Sequence, residues 1–233
     1  MQGGEVLGKV QTVAFVSIGQ SPRQDVVSDF QKVWGNTFNI LDIGALDDLS
    51  HEEIKSLAPA PGESDLITKL RDGQAVYLSH HRLMPHMDQA LEKACKGGAD
   101  WAVVLCTGDF SNLKSSIPLL LPNPILAHGV ESVLKPGDKL TVIVPTQGQV
   151  SEATERWFQR GFEVSKVIVE SPFDNHQALF DVLKNDQIVQ KTKGLIADCF
   201  GFDNTFMNSV AELYVKPIFI SRKLISHLLL AIR

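Results

Sequence analysis

The chain has 233 residues, 44% of them hydrophobic and 21% charged, the balance of an ordinary globular protein and not of a disordered one. Its formal net charge is −5 and no basic run exceeds two residues, which argues against nucleic acid or an anionic membrane as a partner, since both need a concentrated basic face. A chain of this length can bury most of its apolar surface without disulfides or a structural metal, and two lobes of about 100–130 residues fit it.

Short apolar runs ending in Gly, Pro or polar residues mark strands, and apolar residues at three- and four-residue spacing mark helices. In chain order the pattern predicts a strand over 13–18, a helix over 24–33 behind Pro22, a strand over 38–43, a helix over 65–70, a strand over 75–79, a helix over 83–94 and a strand over 101–106. The stretch 118–124, with three prolines, then interrupts the alternation and reads as the crossing between lobes. Strands over 140–144, 164–169, 194–199 and 217–220 follow, with helices over 149–160, 175–183, 205–213 and 224–230. Strands apolar on both faces, alternating with helices, imply an α/β protein of parallel, doubly wound sheets covered by helices on each side.

The start, Met1-Gln-Gly-Gly-Glu-Val, lacks the basic stretch and apolar core of a secretory signal. The longest apolar run, Leu228-Leu-Leu-Ala-Ile232, is too short to span a bilayer and reads as the buried face of a closing helix. Three cysteines without a framework spacing point to reduced thiols and a cytoplasmic location.

The two halves echo one another. Asp100-Trp-Ala-Val-Val-Leu-Cys106-Thr-Gly and Gly194-Leu-Ile-Ala-Asp-Cys199-Phe-Gly each deliver a cysteine at the carboxyl end of a strand, followed by a Gly-containing turn. Ligands of open α/β sheets bind outside those ends, so Cys106 and Cys199 are expected to look into one cleft. Two opposed thiols can invert a carbon centre without a cofactor: one thiolate takes the proton beside a carboxylate and the other thiol protonates the opposite face. The site must then stabilise an enediolate with aimed donors and hold one sulfur as thiolate. On that reading at least one thiol has a depressed pKa and reacts quickly with alkylating agents. Thr107, Gly108, Phe200, Gly201 and Thr146 stand at the strand ends and are expected to bind substrate, while Asp109 and Asp198, if they point inward, oppose thiol activation. Cys95, on a helix, reads as structural.

Further candidates are weaker in pattern. Ser21 and Arg23, in Gly19-Gln-Ser-Pro-Arg23, are placed to take a carboxylate or phosphate; the plain alternative is an N-capping serine and a surface arginine. Ser79 and Arg82 are candidates for anion contacts. His80, His81 and His86 do not converge, since neighbours on a strand face opposite ways, and no metal or other cofactor is expected. The Gly-rich spacing of a dinucleotide or phosphate loop is missing.

Ser17-Ile-Gly-Gln-Ser-Pro-Arg23, Leu57-Ala-Pro-Ala-Pro-Gly-Glu-Ser-Asp65, Ala197-Asp-Cys-Phe-Gly-Phe202 and Ile220-Ser-Arg-Lys-Leu-Ile together resemble the AroM family along nearly the whole chain. That family is similar in architecture to the aspartate/glutamate/hydantoin racemase superfamily. The resemblance implies two pseudo-symmetric lobes with a ligand cleft between them, one formed by 1–122 plus a returning helix at 221–233 and the other by 123–220. It carries Cys106 and Cys199 onto the superfamily's two cysteine positions. The racemases follow their cysteines with Asn-Thr and Thr-Glu, where this chain has Thr107-Gly108 and Phe200-Gly201. The implied activity is a cofactor-independent racemase, isomerase or decarboxylase acting on a small carboxylate, with a homodimer expected by analogy. The alternative is a non-catalytic protein that closes on a small anion through Arg23, Arg82 and His80.

Overall fold

The computed structural model describes residues 10–233; the reading of the first six residues lies outside them. The first part of the chain runs β1 (Gln11–Ser17), α1 (Gln24–Trp34), β2 (Phe38–Gly44), α2 (His51–Ser56), β3 (Asp65–Lys69), β4 (Ala75–Ser79), α3 (His80–Lys96), β5 (Trp101–Val104) and β6 (Leu119–Leu120). The rest runs α4 (Pro122–Glu131), β7 (Lys139–Val144), α5 (Val150–Gln159), β8 (Glu163–Val169), α6 (Gln177–Asn185), α7 (Gln187–Lys191), β9 (Gly194–Ala197), α8 (Asn204–Leu213), β10 (Ile218–Ile220) and α9 (Ser221–Ile232).

Two parallel four-stranded sheets result, ordered β2-β1-β5-β6 and β10-β9-β7-β8. Each is buried on both faces, which is why its strands read as continuous apolar runs. In β1, Val13 and Phe15 enter one core with Val26, Phe30 and Trp34 of α1, while Ala14 and Val16 enter the opposite core with Leu83, Met87 and Leu91 of α3. In β7, Leu140, Val142 and Val144 pack on Trp157 of α5 and Leu126 of α4, and Ile143 packs among Leu179, Leu183, Phe206 and Val210 on the far side. The protein is therefore an α/β molecule of two parallel-sheet lobes. Helix α9 returns to the first core through Ile225 and Leu229, and its Ser226 carbonyl accepts the Trp34 indole N–H at 2.8 Å. Among the described residues no helix is long and apolar enough to cross a membrane.

The sequence pattern left the helices over 51–56, 122–131 and 187–191 unread and assigned the wrong element over 65–70. Residues 65–70, expected as a helix, form strand β3, which pairs antiparallel with β4 from Asp65↔Ser79 to Lys69↔Ala75. The strand at Ala75–Ser79 thus belongs to a hairpin and not to a parallel sheet. The deciding feature is the turn Arg71-Asp72-Gly73, where Gly73 has φ +89°, a conformation open to Gly without strain. His80 and His81 accordingly sit on the first turn of α3 and not on a strand. The Pro-rich stretch is itself ordered: Leu119–Leu120 extend the first sheet, and Pro122 opens α4, where its missing N–H leaves no intrahelical bond unmade.

Candidate functional site

Cys106 lies two residues beyond β5, and Cys199 two residues beyond β9. The chain turns sharply after each, and the same contact recurs: Gly108 N–H donates to Cys106 Sγ at 3.5 Å, and Gly201 N–H donates to Cys199 Sγ at 3.4 Å. The two turns meet where the Thr107 hydroxyl donates to the Asp198 carbonyl at 3.1 Å, across 91 residues of sequence. Both thiols keep partial solvent access.

Against the Thr107–Gly108 turn and Asp198 is a small void, about 10 Å³, lined also by Leu66, Gln149, Glu152, Ala153 and Arg156; the residues next to each cysteine line it, and the cysteines themselves do not. The void has room for about one water molecule. Glu152 and Arg156 separate it from an outer cavity of about 490 Å³, walled also by Phe110, Leu121, Pro124 and Arg160. The β3–β4 hairpin roofs the void. Asp65 accepts the Thr146 hydroxyl at 2.6 Å, its carbonyl accepts Gln149 Nε2 at 2.7 Å, and Ser64 donates to Glu152 at 2.9 Å.

Both thiols are pushed up, where the two-thiol reading expects at least one of them depressed. Burial pushes Cys106 up to about 12; the Gly108 amide opposes it, and the charges of Cys199, Asp198 and Glu152 add to it. Burial likewise pushes Cys199 up to about 11, with the Gly201 amide opposing, Asp198 adding, and the Arg222 and Arg23 guanidinium groups pulling it down. Asp198, 3% exposed, is ion-paired with Arg156. Asp109 points outward instead, and the Ser111 hydroxyl and amide hold its carboxyl below the usual range.

The other expected site residues divide. Thr107 and Gly108 line the void, and Gly201 sits against Cys199. Thr146 is near them but engaged by Asp65. The charge of Arg23 reaches Cys199 and pulls its thiol down, after that of Arg222. Arg23 is no surface arginine: its guanidinium pairs with Asp25 at 2.9 and 2.7 Å and contacts Ser17 Oγ at 3.5 Å. Burial lowers it, but the hydrogen bond and charge of Asp25 outweigh that and hold it above its ordinary value. Ser21 neither caps a helix nor faces the void; its hydroxyl donates to Asp47 at 2.7 Å. Ser79 caps α3, and Arg82 binds the Ser56 and Ala58 carbonyls and Glu63, so both fasten the hairpin's surroundings. Phe200 is a correction: its ring lies in the first lobe's core, 6.3 Å from Phe30, because the turn after Cys199 throws it back across the lobe boundary.

Residues not singled out from sequence complete the site. Arg156 and Gln149 come from α5 and the turn before it, Leu66 from the misread hairpin. Arg222, on the first turn of α9, grips the turn after Cys199: Nε and Nη2 donate to the Phe200 carbonyl at 3.1 and 2.9 Å, Nη2 to Gly201 O at 3.2 Å, and Nη1 to Asp29 at 3.0 Å. The available signal was the Arg222-Lys223 pair at the start of a closing helix whose later turn, 228–232, is apolar.

Two parallel-sheet lobes meeting at paired carboxyl-end turns define the aspartate/glutamate racemase type of fold. The chain is similar to maleate isomerase from Pseudomonas putida (12% identity, 96% of this chain and 92% of that one, TM-score 0.63). It is also similar to glutamate racemase from Aquifex pyrophilus (11%, 96% and 84%, 0.58) and to arylmalonate decarboxylase (9%, 95% and 92%, 0.60). Among curated protein sequences none matches. The AroM protein family profile matches residues 13–232, and the chain belongs to that family.

Proposed function

We propose that the protein is a cofactor-independent racemase-, isomerase- or decarboxylase-type enzyme acting on a small carboxylate through cysteine acid/base chemistry. The observation that carries this is the matched presentation of Cys106 and Cys199, each past the end of a central strand and each held by the amide two residues on. In the racemase form, a thiolate takes the proton from the carbon beside the carboxylate; the C–H bond breaks, an S–H bond forms, and the electron pair moves into an enediolate. The opposite thiol then delivers its proton to the other face, which restores the carboxylate and leaves the two sulfurs with exchanged protonation. Thr107 and the amides of Gly108 and Gly201 are the donors nearest the sulfurs, and to meet the developing charge they must leave their present acceptors, the Asp198 carbonyl and the two Sγ atoms.

The raised thiols are compatible with this chemistry. A thiol at about 11 is ionised to about one part in a few thousand at pH 7.5, but its thiolate is a correspondingly stronger base toward a weak carbon acid. The void of about 10 Å³ means that substrate enters only when the hairpin or Arg156 moves. The relatives' racemase, isomerase and decarboxylase activities support the reading at the level of reaction type. The alternative, a protein that only closes on a small anion, relies on Arg23, Arg82 and His80. Each already has an internal partner: Asp25, Glu63 and the Asp109 carbonyl.

The test is incubation with small chiral carboxylates in D₂O, reading deuterium at the carbon beside the carboxylate and loss of optical purity. Exchange that disappears in both Cys106→Ser and Cys199→Ser is expected. Ligand binding undiminished in the double variant, with no exchange on any carboxylate by the unsubstituted protein, would sink the proposal.

A further inference from the structure

The two thiols share a geometry but not a setting. Phe200 C=O and Gly201 N–H belong to one peptide unit and point opposite ways. On one side the carbonyl takes two N–H bonds from Arg222, at 3.1 and 2.9 Å; on the other the N–H donates to Cys199 Sγ at 3.4 Å. A cation bound at the carbonyl polarises the whole unit and strengthens its N–H as a donor. The charge of Arg222 is thus passed through a peptide to one sulfur. Arg222 is equipped to hold that pose: it is 2% exposed, and all five of its N–H groups are used, on Phe200 O twice, Gly201 O, Asp25 O and Asp29 Oδ2. Asp29 supplies the counter-charge from α1, and Arg23 adds a second cation within reach of Cys199.

Nothing equivalent stands behind Cys106. The matching peptide is Thr107 C=O–Gly108 N–H, and among the described residues no guanidinium bonds the Thr107 carbonyl. The charges acting most on Cys106 are all negative: Cys199, Asp198 and Glu152.

We infer that Arg222 is a positioning residue that makes Cys199 the thiolate and Cys106 the proton-holding thiol of the resting site, the state that turnover then exchanges. This deepens the two-thiol reading above and rests on it for its meaning in turnover, but its test reads sulfur ionisation alone. In the unsubstituted protein, partial iodoacetamide labelling followed by peptide mapping is expected to place several-fold more label on Cys199 than on Cys106 at each pH from 8 to 10, the direction set by the guanidinium behind the Cys199 peptide and its absence behind that of Cys106. In a Cys95→Ser/Cys106→Ser background, Arg222→Met is expected to slow Cys199 labelling at pH 9 at least tenfold. Arg222→Lys, which keeps the charge, is expected to restore it to within about threefold. In a Cys95→Ser/Cys199→Ser background, Arg222→Met is expected to leave the Cys106 profile unmoved, a result that loosened packing would not give.

Equal labelling of the two thiols, a lead by Cys106, or an Arg222→Met effect shared by both overturns the inference. The labelling ratio needs no variant, so it stands as a test even if Arg222→Met does not fold. Unequal thiols in a protein that exchanges no carboxylate would refute the enzyme and leave this inference standing. Equal thiols in an active enzyme would do the reverse.

Discussion

Replacing Phe200 by Ala separates a core side chain from a ligand contact. The ring is 2% exposed, packs in a cluster with Phe15, Val26, Phe30, Ile225 and Leu229, and lies 5.6 Å below the Arg222 guanidinium. Truncating a fully buried Phe costs about 3–5 kcal/mol through lost transfer energy and the cavity left behind, and losing a desolvated cation–π contact moves this site toward the upper end. For a chain of this size each kcal/mol is worth roughly 2–4 °C of Tm, so a drop of about 6–20 °C is expected by differential scanning calorimetry. Phe158→Ala is the internal control: that ring is 69% exposed, and an exposed truncation is expected to stay within about 0.5 kcal/mol. If Phe200→Ala moved Tm no more than Phe158→Ala, the ring would not be the wedge between lobes described here, and its assignment to substrate contact would return.

Other expected outcomes follow from the same geometry. Because both folded thiols lie above the ordinary value of 9.0, near 12 and 11, they are protonated where unfolded thiols begin to ionise. Their stabilising contribution is therefore complete below pH 9 and lost as pH rises toward 11–12. The urea midpoint should fall between pH 8 and pH 10, and fall less in Cys106→Ser/Cys199→Ser; an equal fall in both would refute the shifts. Asp65→Ala removes the carboxylate that accepts the Thr146 hydroxyl, which should cost about 1–3 kcal/mol and speed amide hydrogen exchange in β3 and β4, with unchanged exchange counting against the hairpin as the roof of the void. Asp198→Asn keeps the carbonyl that Thr107 binds but removes a charge that raises both thiols. Labelling at pH 9 should quicken at both cysteines, and labelling that stays constant would show that Asp198 does not act on them.

Much of the fold was legible because burial on two faces leaves a plain mark: Val13–Val16, Val142–Val144 and Leu195–Ala197 are apolar without alternation, and nearly every such run is a central strand. The hairpin was misread because Leu66, Ile67 and Leu70 are spaced as a helix face would be; the Asp72-Gly73 turn, a stronger signal for two short paired strands, decides otherwise. Cys106 and Cys199 were legible as strand-end residues followed by glycine. The direction of Phe200 was not, since strand alternation ends at the turn and lobe docking sets where the ring goes. What Arg156 and Arg222 bind was beyond reach for a simpler reason. Their partners lie 42 and 193 residues away, and a charged residue in an amphipathic segment looks the same whether it meets water or a buried aspartate.

Those distant pairings bear on how the site must work. Three contacts fasten the thiol turns, and each crosses between the two halves: Thr107 to Asp198, Thr146 to Asp65, and Arg222, beside Asp29 of α1, to the peptide after Cys199. None involves the thiols themselves, yet all of them set which charges and amides the sulfurs meet. Any opening wide enough to admit a carboxylate into a void of about 10 Å³ must loosen the first two, and water would then relieve the burial that holds both thiols up. The third is buried, with Arg222 2% exposed and paired with Asp29 of α1. On the proposed two-thiol reading, opening lowers both thiols, and only Cys199 has a guanidinium-bound peptide behind it. The same reading makes the sulfur that ionises on opening the one still paired when the lobes close on a carboxylate.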